Sequence, residues 1–218
     1  MINVAANLAA VRERMASAAA RVGRDAAEVR LIAVSKTKPA ALVQAAVAAG
    51  VHDLGENYVQ EALPKQRAVS GEVRWHLIGP LQRNKAARAL EIFDLIQTVD
   101  SAALGAALAR HAAARGVSAR VLVEVNVGGE ASKHGVAPGD VPALLEQLRD
   151  PHLSVEGLMT IPPPGSPDAA RSGFRRLRAL AEAAGLRELS MGMTDDFEMA
   201  IEEGATMIRV GRAIFGER

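Results

Sequence analysis

Lys36 is the residue of this chain best placed for nucleophilic chemistry. It follows the β-branched run Leu31–Val34 directly, in the sequence Leu-Ile-Ala-Val-Ser-Lys. Alternate residues of a strand face the same side, so Ile32, Val34 and Lys36 share one face. If that face lines a barrel, desolvation at the mouth favours a neutral amine suited to Schiff-base formation. The strand by itself favours the alternative, a lysine in solvent, and Lys38 is also expected to be solvated.

Two neighbouring segments near the C-terminus have the pattern of a phosphate site. Ser190-Met-Gly192-Met-Thr194 and Arg209-Val-Gly211 each place a glycine between a strand end and a helix start. Free backbone N–H groups and the helix dipole attract anions there, and barrels often hold phosphate after strands seven and eight. Ser190 and Thr194 add hydroxyl donors. The alternative is that both glycines only form tight turns, but two adjacent loops of this kind favour phosphate.

Arg209 is the second charged residue that the pattern places inside the fold. It lies on the same predicted strand face as Met207 and Gly211. A guanidinium group stays charged and therefore needs an acceptor. The carboxylate of Glu56 or Glu124 is one candidate, and a heteroatom of a ligand is the other.

Four further positions carry weaker signals. Asn57 either contacts a ligand or caps the next helix, with equal weight. His76 is a candidate ligand contact, although a hydrogen-bonded core histidine is the more frequent explanation. Met159 and Met191 are most simply core residues, although either could lie against a flat ring. The five histidines have no metal-ligand spacing and cysteine is absent, so no metal site is expected.

Short β-branched runs alternate with alanine-rich helical stretches after an amphipathic first segment. The predicted strands are Leu31–Val34, His52–Leu54, Val73–Ile78, Leu95–Thr98, Val121–Val125, Val155–Met159, Glu188–Met191 and Met207–Val210. Eight such units predict a single parallel (β/α)8 TIM barrel, an α/β fold. The rival doubly wound sheet usually has fewer strands, and no GxGxxG follows the first one.

The first segment, residues 1–23, is predicted to be an amphipathic helix that packs on this barrel. Its apolar positions at helical spacing are Val4, Leu8, Val11, Met15 and Val22. Once eight units are counted, no residues remain for another domain, so residues 1–218 are predicted to form one domain. The proline-rich segment 161–167 is expected to be a stiff loop at the barrel mouth.

Composition excludes several classes of protein. Of 218 residues, 49% are hydrophobic and 23% are charged, which is ordinary for a globular chain and excludes disorder. The net charge of +1 lacks the basic excess of a nucleic-acid-binding protein. No run of about 18 apolar residues occurs. A cytoplasmic protein is therefore expected.

Six segments together resemble the pyridoxal phosphate homeostasis protein family, whose members are single-domain relatives of the N-terminal barrel of alanine racemase. The resemblance extends from the first helix to Gly216, and Thr194 stands where the family often has serine. The segments are Ala33-Val-Ser-Lys-Thr-Lys-Pro39, Gly55-Glu-Asn-Tyr-Val-Gln-Glu61, Trp75-His-Leu-Ile-Gly-Pro-Leu-Gln-Arg-Asn-Lys85, Gly157-Leu-Met-Thr160, Leu189-Ser-Met-Gly-Met193 and Ile208-Arg-Val-Gly211.

The resemblance implies pyridoxal 5′-phosphate (PLP) as the cofactor, held as an aldimine on Lys36. It also implies that Arg209 faces the pyridine nitrogen. The residues that it implies around the phosphate group are Ser190, Gly192, Thr194 and Gly211. One cofactor would account for the amine, the anion site and the arginine.

An arginine at the pyridine nitrogen argues against efficient catalysis. A permanently cationic group can only donate there, so the ring stays unprotonated and is a weak electron sink. Racemases of the related fold add a second base, a tyrosine from another domain, and the only tyrosine here, Tyr58, has no evident reason to serve. We therefore expect a non-enzymatic, monomeric protein that buffers or delivers PLP, with apo PLP-dependent enzymes as transient partners. The alternatives are a weak PLP-dependent amino-acid racemase and a cofactor-free Schiff-base enzyme for a sugar phosphate.

Overall fold

The strands close into one barrel. The computed structural model describes residues 2–130, 134–162 and 165–217. Within these ranges eight parallel strands pair in chain order, and the last strand pairs with the first. They are β1 (Arg30–Val34), β2 (Asp53–Glu56), β3 (Arg74–Leu77), β4 (Leu95–Val99), β5 (Ala119–Glu124), β6 (Leu153–Met159), β7 (Glu188–Ser190) and β8 (Met207–Val210). The predicted (β/α)8 barrel is confirmed.

An α-helix follows every strand, and one more precedes the barrel. The helices are α1 (Val4–Arg21), α2 (Ala40–Ala48), α3 (Val59–Ala68), α4 (Ala86–Ala89), α5 (Ala102–Ala114), α6 (Val141–Gln147), α7 (Pro167–Ala183), α8 (Phe197–Glu202) and α9 (Arg212–Phe215). In the described part of the chain, no helix is long and apolar enough to cross a membrane.

The first helix packs on the outside of the barrel, as predicted. Its N-terminus is capped by Asn3, whose side chain accepts a hydrogen bond of 3.0 Å from the backbone N–H of Ala6. Its apolar side packs against α2, α8 and α9. Val22, predicted on the same apolar face, instead lies just beyond the helix and is 42% exposed. The buried apolar residues of the predicted face are Val4, Leu8, Val11 and Met15.

The barrel interior is packed in layers below its upper end. Its central layer is a small apolar cluster, formed by Ile32, Leu95, Leu122, Met159 and Met207. Near the N-terminal ends of the strands, ion pairs fill the interior; they are Arg30–Glu188, Arg74–Asp53 and Arg120–Glu156. Barrels of this kind bind ligands above such layers, where the strands end and their following loops begin.

The proline-rich segment after β6 lies at this upper end. Ile161 lines the cavity described below, and Ser166 caps α7 by accepting a hydrogen bond of 3.3 Å from the backbone N–H of Ala169. Positions 163 and 164 lie outside the described residues. Whether the segment is stiff therefore stays a prediction.

Candidate functional site

A cavity of about 420 Å³ opens at the C-terminal end of the barrel. It is formed by residues that follow β1, β2, β3, β6, β7 and β8. Its lining residues are Val34, Lys36, Asn57, Ile78, Ile161, Met193, Thr194, Asp195, Arg209, Gly211, Arg212 and Glu217. Five predicted site residues therefore meet here: Lys36, Asn57, Thr194, Arg209 and Gly211. A larger apolar groove of about 630 Å³ lies between α6, α7 and β6 and contains none of the predicted site residues.

The pairing of β1 with β8 brings the amine and the arginine together. Ile32 pairs with Arg209, and Ala33 pairs with Val210. One step further along, Gly211 lies beside Val34: a Cβ atom added to the glycine would be 3.4 Å from the valine Cβ, an ordinary contact. Neither its φ of −115° nor its space requires glycine at 211. The tight-turn explanation therefore does not account for this glycine, and a side chain there would occupy the cavity edge.

Gly192 has a different reason for being glycine. Its φ is +92°, which L-residues rarely adopt, and an added Cβ would lie 2.5 Å from the Cβ of Ala200 and 2.9 Å from the Cα of Phe197. The turn and the close packing of α8 both exclude a side chain. For Gly192, the alternative explanation of a tight turn is therefore supported. Gly192 is not among the residues that line the cavity.

Arg209 is a buried cation held by neutral acceptors. Its side chain donates to the Ser190 hydroxyl at 2.7 Å and to the Thr160 carbonyl at 2.8 Å. Burial lowers the pKa of Arg209 to about 10, against the opposing charges of Glu124 and Asp196, so the group remains charged at neutral pH. Of the two candidate acceptors, a carboxylate of Glu56 or Glu124 is therefore not a direct partner within the described residues, although Glu124 acts through its charge.

Ser190 connects Arg209 to a buried chain of hydrogen bonds. The Ser190 hydroxyl donates to Gln97 Oε1 at 2.6 Å, and Gln97 Nε2 donates to His76 Nδ1 at 3.1 Å. His76 Nε2 therefore carries the proton and donates to Asp53 Oδ1 at 2.8 Å. Burial alone would raise the pKa of Asp53, but hydrogen bonds from His76 and Arg74 outweigh it and lower the pKa to about 2. This series of hydrogen bonds thus runs from the Arg74–Asp53 ion pair to Arg209 at the barrel mouth.

These interior contacts bear on three residues predicted to contact the cofactor, His76, Met159 and Ser190. His76 is 1% exposed and has both ring nitrogens hydrogen-bonded, as the core-histidine alternative requires. Met159 belongs to the interior apolar cluster, and Ser190 is fully buried. None of the three lines the cavity. Gln97 was missed by the sequence reasoning, although a polar residue two positions after the interior Leu95 was a usable signal.

Asn57 presents a hydrogen-bond acceptor that the described protein does not use. Its Oδ1 atom is buried and has no partner within the described residues. The helix α3 has Tyr58, not Asn57, at its N-cap and no side-chain cap. The capping alternative for Asn57 is therefore wrong. A buried unpaired acceptor that lines a cavity suits a ligand that donates a hydrogen bond.

Lys38, which was expected to be in solvent, is half-buried. Its ammonium group donates to the carbonyl oxygens of Gly216, at 3.0 Å, and Glu217, at 2.7 Å. These contacts hold the C-terminal segment against the loop after β1. The side chain of Glu217 faces the cavity and pairs with Arg212, which also pairs with Asp195.

Glu124 is a buried carboxyl group at the upper end of β5. It is 8% exposed. Burial raises the pKa of Glu124 to about 7, with a further upward contribution from Asp100 and downward ones from His134 and Arg209. Its protonation therefore changes near neutral pH and alters the field around Arg209.

Comparison with known proteins places this site in a family. The family model for the N-terminal domain of alanine racemase matches residues 6–218. The chain is 48% identical to the pyridoxal phosphate homeostasis protein of Pseudomonas aeruginosa PAO1, over 100% of this chain and 97% of the relative. It is 41% identical to the protein of the same name from Escherichia coli K12, over 100% and 98%. The chain belongs to the pyridoxal phosphate homeostasis protein family.

A solved structure of one relative has the cofactor bound. It is PipY of Synechococcus elongatus PCC7942 with PLP bound. The two chains are 38% identical, with a TM-score of 0.85, and the match covers 98% of this chain and 100% of PipY.

Replacement of Glu124 by glutamine should remove a pH-dependent loss of stability. In the unfolded chain this carboxyl group ionises near its ordinary pKa of 4.5, but in the folded protein only near 7. Ionisation thus costs the folded state more as pH rises, and the wild type should lose about 2.5 kcal/mol of unfolding free energy between pH 5 and pH 8. Urea unfolding at both pH values should show that Glu124→Gln lacks this loss.

Glu13→Gln is the matched control, because Glu13 is exposed on α1 and should leave the wild-type pH dependence unchanged. A parallel pH dependence for Glu124→Gln and the wild type would contradict the burial argument.

The two predicted hydroxyl donors should differ in their effect on stability. Ser190→Ala leaves the Arg209 donor and the Gln97 acceptor unsatisfied in the core, so it should cost about 1–3 kcal/mol. Thr194→Ala changes a residue at the cavity edge and should stay within about 0.5 kcal/mol of the wild type. If chemical unfolding showed the same loss of unfolding free energy for both variants, the buried Ser190 hydrogen bonds would contribute no more to stability than a residue at the cavity edge.

Proposed function

We propose that this protein binds PLP at the barrel mouth and takes part in intracellular PLP homeostasis, buffering or delivering the cofactor without catalytic turnover. The observation that carries the proposal is the convergence of Lys36, Arg209, Thr194 and Gly211 on one cavity. Its relatives' names and the PLP bound in PipY support it.

The donor set fits this cofactor. Thr194 and Gly211 offer a hydroxyl and a backbone edge for the phosphate group. Arg209 offers a cationic donor for the ring nitrogen. The unpaired Oδ1 of Asn57 offers an acceptor for a donor group of the ligand. We assign Ser190 and His76 an indirect role, because neither lines the cavity. Ser190 is hydrogen-bonded to Arg209 and Gln97, and His76 is hydrogen-bonded to Gln97 and Asp53.

Lys36 would anchor the cofactor covalently. When bound, PLP supplies an aldehyde carbon that forms a C=N bond with a lysine amine and releases water, a reversible condensation. Lys36 lies on the cavity wall and is only partly buried. Partial exposure admits water, which suits a protein that must release what it binds.

Arg209 favours binding over turnover. It is fixed by two hydrogen bonds and stays cationic at neutral pH, so it has no proton acceptor to offer the ring nitrogen. A racemase also needs a second base across the α-carbon from Lys36. Tyr58 is 53% exposed and is not among the cavity residues, so the geometry gives it no such role.

Weak amino-acid racemase activity is the second candidate, because the family model is named for the racemase barrel. We further propose that the protein acts in the cytoplasm as a monomer and meets apo PLP-dependent enzymes transiently. The open cavity supports exchange of this kind, since a partner can approach its rim.

Addition of PLP should produce a yellow absorption band that borohydride removes, with the reduced label on Lys36. Lys36→Ala should lack the band, because Lys36 is the only lysine on the cavity wall among the described residues. Thr194→Ala should keep the band but weaken PLP binding, since one phosphate donor is lost. The absorption spectrum and peptide mapping check all three outcomes.

Absence of the band in the wild type would contradict PLP binding and leave a sugar phosphate as the ligand to test. Exchange of the amino-acid α-hydrogen with deuterium, lost in Lys36→Ala, would favour the weak racemase over the carrier.

A further inference from the structure

The segment that carries Lys36 has an unusual backbone conformation. Thr37 has a φ of +64°, and it is the only non-glycine residue with positive φ among the described residues. A β-branched residue is strongly disfavoured there, because its side chain crowds the backbone carbonyl. The Thr37 side chain is exposed, so its own packing does not impose the conformation. A local turn accounts for part of it: the backbone N–H of Lys38 donates to the Ser35 carbonyl at 3.0 Å, and Thr37 is the third residue of that turn. Glycine usually occupies this position, so threonine there remains strained and a further contact is needed to hold it.

Glu61 supplies a contact that selects this conformation. The backbone N–H of Thr37 donates to Glu61 Oε2 at 3.1 Å. Glu61 lies in the first turn of α3, the helix that follows the neighbouring strand β2. A carboxylate that accepts from a backbone amide makes a charge-assisted hydrogen bond, which is stronger than a neutral one. The strained residue is thus held from a separate element.

The residue on the other side of Lys36 is anchored as well. Fully buried Ser35 donates through its hydroxyl to Glu56 Oε1 at 2.6 Å, and its carbonyl accepts from Lys65 Nζ at 2.6 Å. Lys65 also pairs with Glu56 at 2.6 Å. The second carboxylate oxygen, Glu56 Oε2, is buried and has no partner within the described residues. A buried ion pair with an unsatisfied oxygen contributes little to the stability of the fold. The Lys65–Glu56 pair nevertheless fixes the position of the Ser35 backbone.

We propose that Glu61 is a positioning residue for Lys36: it holds Thr37 in the left-handed conformation and thereby directs the Lys36 amine into the cavity. Ser35, fixed by Glu56 and Lys65, is the other anchor of this turn. The inference rests on the proposed PLP-binding function. Without the Glu61 acceptor, Thr37 relaxes toward negative φ, the peptide after Lys36 rotates, and the amine is no longer directed into the cavity.

A double-mutant cycle tests this role. Glu61→Ala should raise the dissociation constant for PLP about tenfold, as expected when one strained backbone residue is released. Glycine adopts positive φ without strain. In the Thr37→Gly background the same Glu61→Ala change should therefore raise the dissociation constant only about twofold or less. An equal loss in both backgrounds would contradict the proposal.

A ligand that cannot condense with the amine separates positioning from general structure. Pyridoxamine 5′-phosphate carries an amine in place of the aldehyde, so it binds without using Lys36 as a nucleophile. Its dissociation constant should be the same in the wild type and Glu61→Ala. Equal weakening for both ligands would show that Glu61 supports the cavity as a whole and would overturn the assignment.

Two variants serve as controls. Glu61→Gln keeps a neutral acceptor for the Thr37 amide and should restore most of the PLP affinity. Glu13→Ala removes one exposed carboxylate from α1 and should leave PLP affinity unchanged, which controls for net charge. A wild type that binds no PLP contradicts the proposed function, whereas a wild type and a Glu61→Ala variant that bind PLP equally contradict only the role of Glu61.

Discussion

The parallel pairing of β1 with β8 is the constraint on which the site depends. This pairing closes the barrel and places Ile32 opposite Arg209 and Ala33 opposite Val210. The nucleophilic amine comes from one end of the sequence and the arginine and glycine edge from the other. Because strand side chains alternate, a slip of one residue would turn every one of them to the opposite face. Closure of the barrel and assembly of the site are therefore the same event.

The interior below the cavity is organised around a buried cation. An arginine without hydrogen-bond acceptors would be costly in this environment, and Ser190 and the Thr160 carbonyl supply them. From Ser190 the hydrogen bonds continue to Gln97 and then to His76, and each donor has an acceptor. This arrangement fixes the guanidinium group in its cationic form. It presents a cationic hydrogen-bond donor, rather than a proton acceptor, to a ligand at the barrel mouth.

The fold could be predicted from periodicity, and five of the predicted site residues line one cavity. All eight strands lie where expected to within a few residues, and the inward faces of β1 and β8 follow from alternation. Alternation gives the face of a residue but not its depth, so Ser190 was assigned to the phosphate when it lies deeper and holds Arg209. Gln97 could have been found from its place two residues after the interior Leu95. The role of Glu61 depends on a contact between separate elements, for which the local sequence carries no signal. The contacts of Lys38 with the C-terminal segment also join parts of the chain that are distant in sequence, so they could not be predicted locally.

A crystal structure of the protein grown with PLP tests the central claim most directly. The account predicts electron density continuous with Lys36 Nζ, with the phosphate against Thr194 and Gly211 and the ring nitrogen facing Arg209. Density for PLP in the groove between α6 and α7, or at the barrel mouth with Arg209 turned away from the ring, would contradict it.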